Sequence, residues 1–402
     1  MSGKAFLSGN EAVAEGVRLS RPHVISAYPI TPQTTVVEKL SEMVEEGRVQ
    51  VEAEGPSCEF LHVESEHSAL SAAMGASSVG ARTFTATSSQ GLLYMAECLQ
   101  YASGGRFPIV MMNANRATAL PWNIYGDQRD SLSQLDCGWI QVYTENAQES
   151  LDMVLQAYAI AENQQVLTPV MINLDGFVLT HTYELVEIPE IKEADTFLPS
   201  FQTPCKMDLE SPVNMAFSAG PADNMEFKYQ QHLAMLKAKS VIAETDERFS
   251  QLFGRRYGGM VEEYRAEDAE FLLITVGSIT GVTRMVVDDL RSEGTKVGLL
   301  KLRFLRPFPE EEIGRIAAKV KGIGTLEKDI SFGAEGTVYT NVNSALIKAG
   351  LAIPSFNFVA GLGGRDVSRE NIKEAFRYIR QGAADPTMEK VVFLGLAVQK
   401  DE

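Results

Sequence analysis

Strand-like and helix-like patterns alternate without a break from about residue 8 to residue 185, and this alternation constrains the fold more than any single motif. Residues 10–18 carry a helical pattern, Val24-Ile25-Ser26-Ala27-Tyr28 a strand pattern, and residues 34–46 a second helix with apolar side chains at Val37, Leu40 and Met43. Residues 60–63, 82–86 and 109–112 read as further strands, with small-residue helices at 69–78 and 92–101 between them. Repeated βαβ steps predict an α/β fold, a doubly wound parallel sheet covered on both faces, with ligands gathered at the carboxyl ends of the strands.

The pattern then changes. Pro189, Pro199, Pro204, Pro212 and Pro221 punctuate an irregular stretch, and residues 225–253 follow with a polar helical pattern. A buried-strand run, Phe271-Leu272-Leu273-Ile274-Thr275-Val276, restarts the alternation. A helix at 279–291, a strand at 297–302 and the turn Arg306-Pro307-Phe308-Pro309 come after it. At 402 residues the chain exceeds what one core supports. We expect a first domain at 1–190, a linker with one long helix at 191–265 and a smaller α/β domain at 266–402.

Several functional classes are disfavoured at once. With 36 basic against 53 acidic residues, a net charge of -17, the chain has no electrostatic footprint for a phosphate backbone, so no nucleic-acid partner is expected. Cys58, Cys98, Cys137 and Cys205 lie far apart with no Cys-x-x-Cys pair, so neither a zinc ribbon nor an iron-sulfur cluster is expected here, and no metal ligand is assigned. The start Met1-Ser2-Gly3-Lys4-Ala5-Phe6 lacks a charged-then-apolar signal pattern, and no run of about 18 apolar residues follows, so a cytoplasmic protein without membrane contact is expected.

Five segments at predicted strand ends carry the polar chemistry. In Tyr28-Pro29-Ile30-Thr31-Pro32 the two prolines fix their own φ and bias Tyr28 and Thr31 towards extended geometry, which orients the Thr31 hydroxyl either for a ligand or for capping the next helix. In Val63-Glu64-Ser65-Glu66-His67, Ser65 is a candidate N-cap and Glu66 the first helical residue, among small neighbours that favour burial. The opening Thr85-Ala86-Thr87-Ser88-Ser89-Gln90-Gly91 suits helix capping or a polar ring, and it lacks the spaced glycines of a dinucleotide fingerprint. Arg116, after the strand at 109–112, is placed to grip a carboxylate, or to form an ion pair. The loop at 121–130 mixes aromatic, glycine and charged residues, as functional loops do. Gly361-Leu362-Gly363-Gly364-Arg365-Asp366 reads as a tight βα turn, and His62 and His67 as candidate ligands or bases, more often satisfied structural histidines.

Taken in register, these segments resemble the α subunit of the 2-oxoacid:ferredoxin oxidoreductases, the thiamine-dependent family of pyruvate:ferredoxin oxidoreductase. Asp136-Cys137-Gly138-Trp139-Ile140-Gln141, Asp175-Gly176-Phe177, Thr180-His181-Thr182, Arg306-Pro307-Phe308-Pro309 and Ala360-Gly361-Leu362-Gly363-Gly364 extend the resemblance over nearly the whole chain. It implies a pyrimidine-binding thiamine-fold domain up to residue 190 and a transketolase-C-terminal-like domain at the end. It also implies thiamine diphosphate shared with a β subunit, Mg2+ and [4Fe-4S] clusters on partner subunits, and coenzyme A as co-substrate. The partners would be β, γ and ferredoxin-like δ subunits, passing electrons to ferredoxin or another acceptor. By residue, the resemblance gives Glu66 a hydrogen bond to the aminopyrimidine N1′, Tyr28, Pro29 and Ser89 further cofactor contacts, Thr31 and Arg116 the substrate carboxylate, and Ile124 the side-chain pocket. Arg129 receives no role.

Tyr28-Pro29-Ile30-Thr31-Pro32-Gln33-Thr34 and Gly126-Asp127-Gln128-Arg129-Asp130-Ser131-Leu132 look more like the 2-oxoisovalerate members than the pyruvate ones. A branched-chain or aryl 2-oxoacid, such as phenylglyoxylate, is therefore expected ahead of pyruvate. A structural subunit that keeps the fold without the chemistry is the alternative of another class.

Overall fold

The structure, a computed structural model, describes residues 3–52, 55–215 and 217–397. Among these, the larger sheet has seven strands in the spatial order Phe304–Arg306, Ile140–Tyr143, Val170–Asp175, Val110–Asn115, Thr83–Thr87, Val24–Ala27 and Glu59–His62. Neighbours are parallel, as the βαβ pattern requires, except that Phe304–Arg306 runs antiparallel to Ile140–Tyr143. Thr83–Thr87, Val110–Asn115 and Val170–Asp175 are buried along their whole length, because helices cover both faces.

A second sheet has six strands, ordered Val391–Phe393, Ser355–Val359, Gly322–Glu327, Phe271–Val276, Val297–Leu302 and Val261–Tyr264, the last antiparallel to its neighbour. That edge strand lies in a stretch where sequence patterning predicts only linker and helix. Its Val-Glu-Glu-Tyr composition is that of a charged sheet edge rather than of a core strand. The long helix does form, at Asn224–Phe253, and it buries Ala234, Ala238, Val241, Ile242, Thr245 and Phe249, which recur at helical spacing along one face. Gly3–Ser8 and Tyr183–Ile188 pair as a separate antiparallel ribbon. No helix among the described residues is long and apolar enough to cross a membrane.

The two sheets are stitched together by one extended segment. Val297–Leu302 lies in the second sheet, and after the single intervening residue Arg303 the strand Phe304–Arg306 forms the edge of the first. A single apolar cluster accordingly runs from Val142 and Leu151 to Leu300, Leu302 and Ile313. The carboxyl ends of the two parallel sheets also meet. Asp175, the last residue of its strand, accepts hydrogen bonds from Ser278 N (2.8 Å) and Lys328 Nζ (3.1 Å), which follow strands of the second sheet. The ends where βαβ folds place ligands are thus walled by both halves of the chain.

Candidate functional site

Glu66 opens the helix Glu66–Ser78, after Ser65, whose extended backbone and side chain cap it by accepting from Ser68 N at 3.1 Å. The helix start is therefore local chemistry, as the sequence implies. Glu66 itself is only 8% exposed, and among the described residues its carboxylate has no hydrogen-bond or ion-pair partner. Gly91 forms the wall beside it: a Cβ built there would stand 2.6 Å from Glu66 Oε1 and 2.7 Å from Thr87 Oγ1. Among the described residues, the buried hydroxyls of Thr85, Thr87 and Ser88 find no hydrogen-bond partner. Such orphaned groups are costly unless something satisfies them, and the Thr87 hydroxyl and the Glu66 carboxylate converge on the same point at Gly91.

The turn at 28–33 is held from three sides. Asn10 Nδ2 donates to Pro32 O (2.8 Å), Gln33 Nε2 to Tyr28 O (2.8 Å) and Ala86 O (3.2 Å), and Arg116 Nη1 to Thr31 O (2.7 Å). Helix Thr34–Glu45 begins too late for Thr31 to cap it, and no side-chain cap is present. The Thr31 side chain is exposed, Tyr28 is half-buried and Pro29 lies exposed at the outside of the turn. Capping therefore does not account for the turn.

Arg116 is 5% exposed and follows strand Val110–Asn115. Besides Thr31 O, it donates through Nη2 to Gln90 Oε1 at 3.0 Å, while its buried Nε has no partner among the described residues. Burial pulls the guanidinium down from its ordinary value, and the carboxylates of Asp130 and Glu66 oppose that pull. Ser89 has φ +50° and does not cap the helix Gln90–Tyr94. Its hydroxyl donates instead to Ala117 O (2.9 Å) and Gln90 Oε1 (2.7 Å), so the capping role open to this segment on sequence is not the one Ser89 plays. Ile124 is half-buried, and Ala117 N donating to Tyr125 O (3.0 Å) sets Arg116 and Ile124 beside the two ends of one hydrogen bond.

The structure thus brings Glu66, Thr31, Arg116 and Ser89 to neighbouring strand ends. His62 and His67 stand apart at the surface, where His62 Nε2 lies 3.4 Å from Ser41 Oγ and His67 Nε2 3.8 Å from Glu97 Oε2. Cys58, Cys98 and Cys137 are buried free thiols and Cys205 is exposed, with burial pushing the Cys58 and Cys137 thiols up to about 12.

One residue at the centre of this arrangement receives no role in the sequence reading. Asp130, wholly buried, accepts through Oδ2 from Ser89 N (3.1 Å), Asn113 Nδ2 (3.3 Å) and Arg116 N (3.2 Å), and through Oδ1 from Asn115 Nδ2 (2.7 Å) and Ser131 N (2.7 Å). It fixes both strand ends at once. Burial pushes its carboxyl up to about 6, against the pull of the hydrogen bonds from Asn115, Ser131 and Arg116. The available signal was Asn113 and Asn115 at alternate positions of a buried strand, two amides on one face that require an acceptor.

A family model described as "Pyruvate flavodoxin/ferredoxin oxidoreductase, thiamine diP-bdg" matches residues 15–247, and one described as "Pyruvate:ferredoxin oxidoreductase core domain II" matches residues 269–372. The pyruvate synthase subunit PorA of Methanothermobacter thermautotrophicus is 45% identical over 92% of this chain and 94% of its own length. PorA of Pyrococcus horikoshii is 45% identical over 98% of both chains, and the ketoisovalerate oxidoreductase subunit VorA of the same organism 43% over 96% and 97%. Among solved structures, a 2-oxoglutarate:ferredoxin oxidoreductase from Magnetococcus marinus superposes with a TM-score of 0.70 at 19% identity, over 95% of this chain and 66% of that longer one, which shows the fold. The chain therefore belongs to the 2-oxoacid:ferredoxin oxidoreductase family, as an α subunit.

Proposed function

We propose that this chain supplies the pyrimidine half of a thiamine diphosphate site and the grip on a 2-oxoacid in a multisubunit oxidoreductase, with pyruvate as its first substrate. The observation that carries this reading is the unpaired, buried Glu66 carboxylate with a glycine held against it. A buried carboxylate beside orphaned hydroxyls fits the edge of an aminopyrimidine, which both donates and accepts hydrogen bonds. When bound, thiamine diphosphate supplies the nucleophilic carbon and the electron sink for decarboxylation. Glu66 would hold the aminopyrimidine through N1′ and share a proton with it at a carboxylate oxygen, in a pocket dry enough to make that transfer effective. Gly91 leaves room for the Glu66 carboxylate itself. Arg116, with donors beyond those used by Thr31 O and Gln90, would face the substrate carboxylate together with the Thr31 hydroxyl, and Ser89 would hold Gln90 and the 117 loop in place.

A β subunit would complete the site with the diphosphate and Mg2+, and γ and δ subunits would carry coenzyme A chemistry and [4Fe-4S] clusters towards ferredoxin. The relatives favour pyruvate over the branched-chain or aryl acids expected from the local motifs, since pyruvate synthase subunits reach 45% identity. 2-Oxoisovalerate is the second reading, supported by the ketoisovalerate relative at 43%.

The test is to purify the complex and measure dye reduction with pyruvate, 2-oxoisovalerate and phenylglyoxylate, each with coenzyme A, for wild type and Glu66→Gln. Loss of an acid-base group should cut turnover by about 100-fold or more. Near-normal turnover of the variant would leave the structural-subunit alternative standing.

A further inference from the structure

We infer that the glycine turn Gly361–Gly364 of the second domain is the seat of the loop at 117–128, and that through this seat it sets the size selectivity of the 2-oxoacid side-chain pocket. The inference rests on the proposed role of Ile124, which that loop carries. The turn follows strand Ser355–Val359, and Gly361, Gly363 and Gly364 have φ of +72°, +61° and +78°, a region that L side chains rarely adopt.

Its contacts fall on the residues either side of Ile124. Asn123 Nδ2 donates to Gly363 O at 2.8 Å, and Asn123 Oδ1 accepts from Tyr125 N at 2.8 Å. A Cβ on Gly363 would stand 2.7 Å from Asn123 Nδ2, and one on Gly364 would run into Tyr125 Cβ and lie 3.2 Å from its Cγ. Gly364 therefore allows an approach that a Cβ would block, and a Cβ on Gly363 would push the Asn123 amide off its hydrogen bond. A third bond comes from Asp127, wholly buried, whose Oδ2 accepts from Gly363 N at 3.1 Å. Arg129 neutralises Asp127 through Nε (3.0 Å) and Nη2 (2.9 Å), which gives that arginine a role in the seat.

On its other side the loop has no slack. A Cβ on Gly126 would lie 2.8 Å from Gly176 O and 3.1 Å from Asn115 O, so backbone of the first domain already fills that space. The second domain holds the span at Asn123 and the first domain holds it at Gly126, so Ile124 lies in a short segment anchored at both ends. A push at either neighbour is transmitted to Ile124.

The experiment uses the assembled complex carrying Gly364→Ala, Gly363→Ala or Asn123→Ala. Two readouts are taken: kcat/KM for pyruvate against 2-oxoisovalerate, and hydrogen exchange of the peptide spanning 117–128. The pyruvate to 2-oxoisovalerate ratio should shift at least ~10-fold in either glycine variant, mainly through KM, with faster exchange of the loop and unchanged thiamine diphosphate content. Asn123→Ala, which removes the hydrogen bonds without adding bulk, should shift the ratio in a smaller step, roughly 3- to 5-fold. If the glycine variants fail to assemble, Asn123→Ala decides, and a ratio within about 2-fold of wild type with unchanged exchange overturns the inference. A wild-type complex that oxidises neither acid would defeat the functional reading alone, and loop exchange in the variants would still decide the seat.

Discussion

Gly91 presses so closely on Glu66 that a Cβ at residue 91 would stand 2.6 Å from Oε1 and 2.8 Å from Cγ of the glutamate. Gly91 lies inside the helix Gln90–Tyr94, where alanine is intrinsically favoured over glycine by about 0.5–1 kcal/mol. The added methyl would nevertheless force Glu66 or Thr87 to move, at a cost of about 1–3 kcal/mol for overpacking. Gly91→Ala should therefore lower thiamine diphosphate affinity and turnover at least ~10-fold, with the complex still folded, as read by kcat and cofactor titration. Wild-type values for both would mean the space beside Glu66 serves packing only.

Asp130 gives the site a pH dependence. With its carboxyl pushed up to about 6, the ionised form costs stability above that pH, and the cost is relieved as pH falls through 6 towards the ordinary 3.8. Function runs the other way. Protonation places an O–H among donors, Ser89 N, Arg116 N and Asn115 Nδ2, so the hold on Arg116 weakens just as the fold gains. The expected outcome is an acid limb near 6 in kcat/KM for the 2-oxoacid, and in Asp130→Asn a KM raised about 10-fold or more without that limb. A limb that persists in the variant belongs to another group.

Much of this was legible from the sequence where local rules act. The parallel strands, the Ser65 cap and the first-turn Glu66 follow from periodicity and capping chemistry within a few residues, and the structure has them. What the sequence hides is long-range. Val261–Tyr264 is too short and acidic to read as a strand until Val297–Leu302 lies beside it. Phe304–Arg306 changes sheets, which no pattern in its own neighbourhood signals. Asp130 looks like a loop acid until Asn113, Asn115 and Ser89 converge on it, and the turn at 361–364 looks self-contained until Asn123 and Tyr125 pack against it.

The contact between the two sheet ends should be stability-determining at Lys328. Burial pushes the Asp175 carboxyl up, but Lys328 and the hydrogen bonds from Ser278 outweigh it and hold the group below its ordinary value. Lys328→Met removes the cation and leaves Asp175 buried with Ser278 and Gln128 as its partners. A loss of about 3–5 kcal/mol is expected in denaturant unfolding, as for other buried pairs broken on one side. A loss below about 1 kcal/mol would show the pair to be exchangeable with solvent.

Glu149 anchors the second domain on the first. Its carboxylate meets Lys301 Nζ at 2.6 Å and Arg303 Nε at 2.9 Å, with all three side chains out of water. Burial alone would push Glu149 up; Lys301 and Arg303 reverse this and pull it down to about 2. Because the folded value lies below the ordinary 4.5, the stabilisation is complete above about pH 4.5 and is lost as pH falls towards 2. A drop of that size corresponds to about 3 kcal/mol. In Glu149→Gln, Lys301 keeps Glu145 at 3.0 Å and Arg303 keeps Gly259 O at 2.6 Å, so the fold is retained at lower stability. Urea unfolding at a series of pH values should show wild type more stable than Glu149→Gln by about 3–5 kcal/mol at pH 7, with the gap narrowing steadily below pH 4.5. A gap that stays constant down to pH 3 would mean that the lost stability comes from packing around residue 149 rather than from its charge.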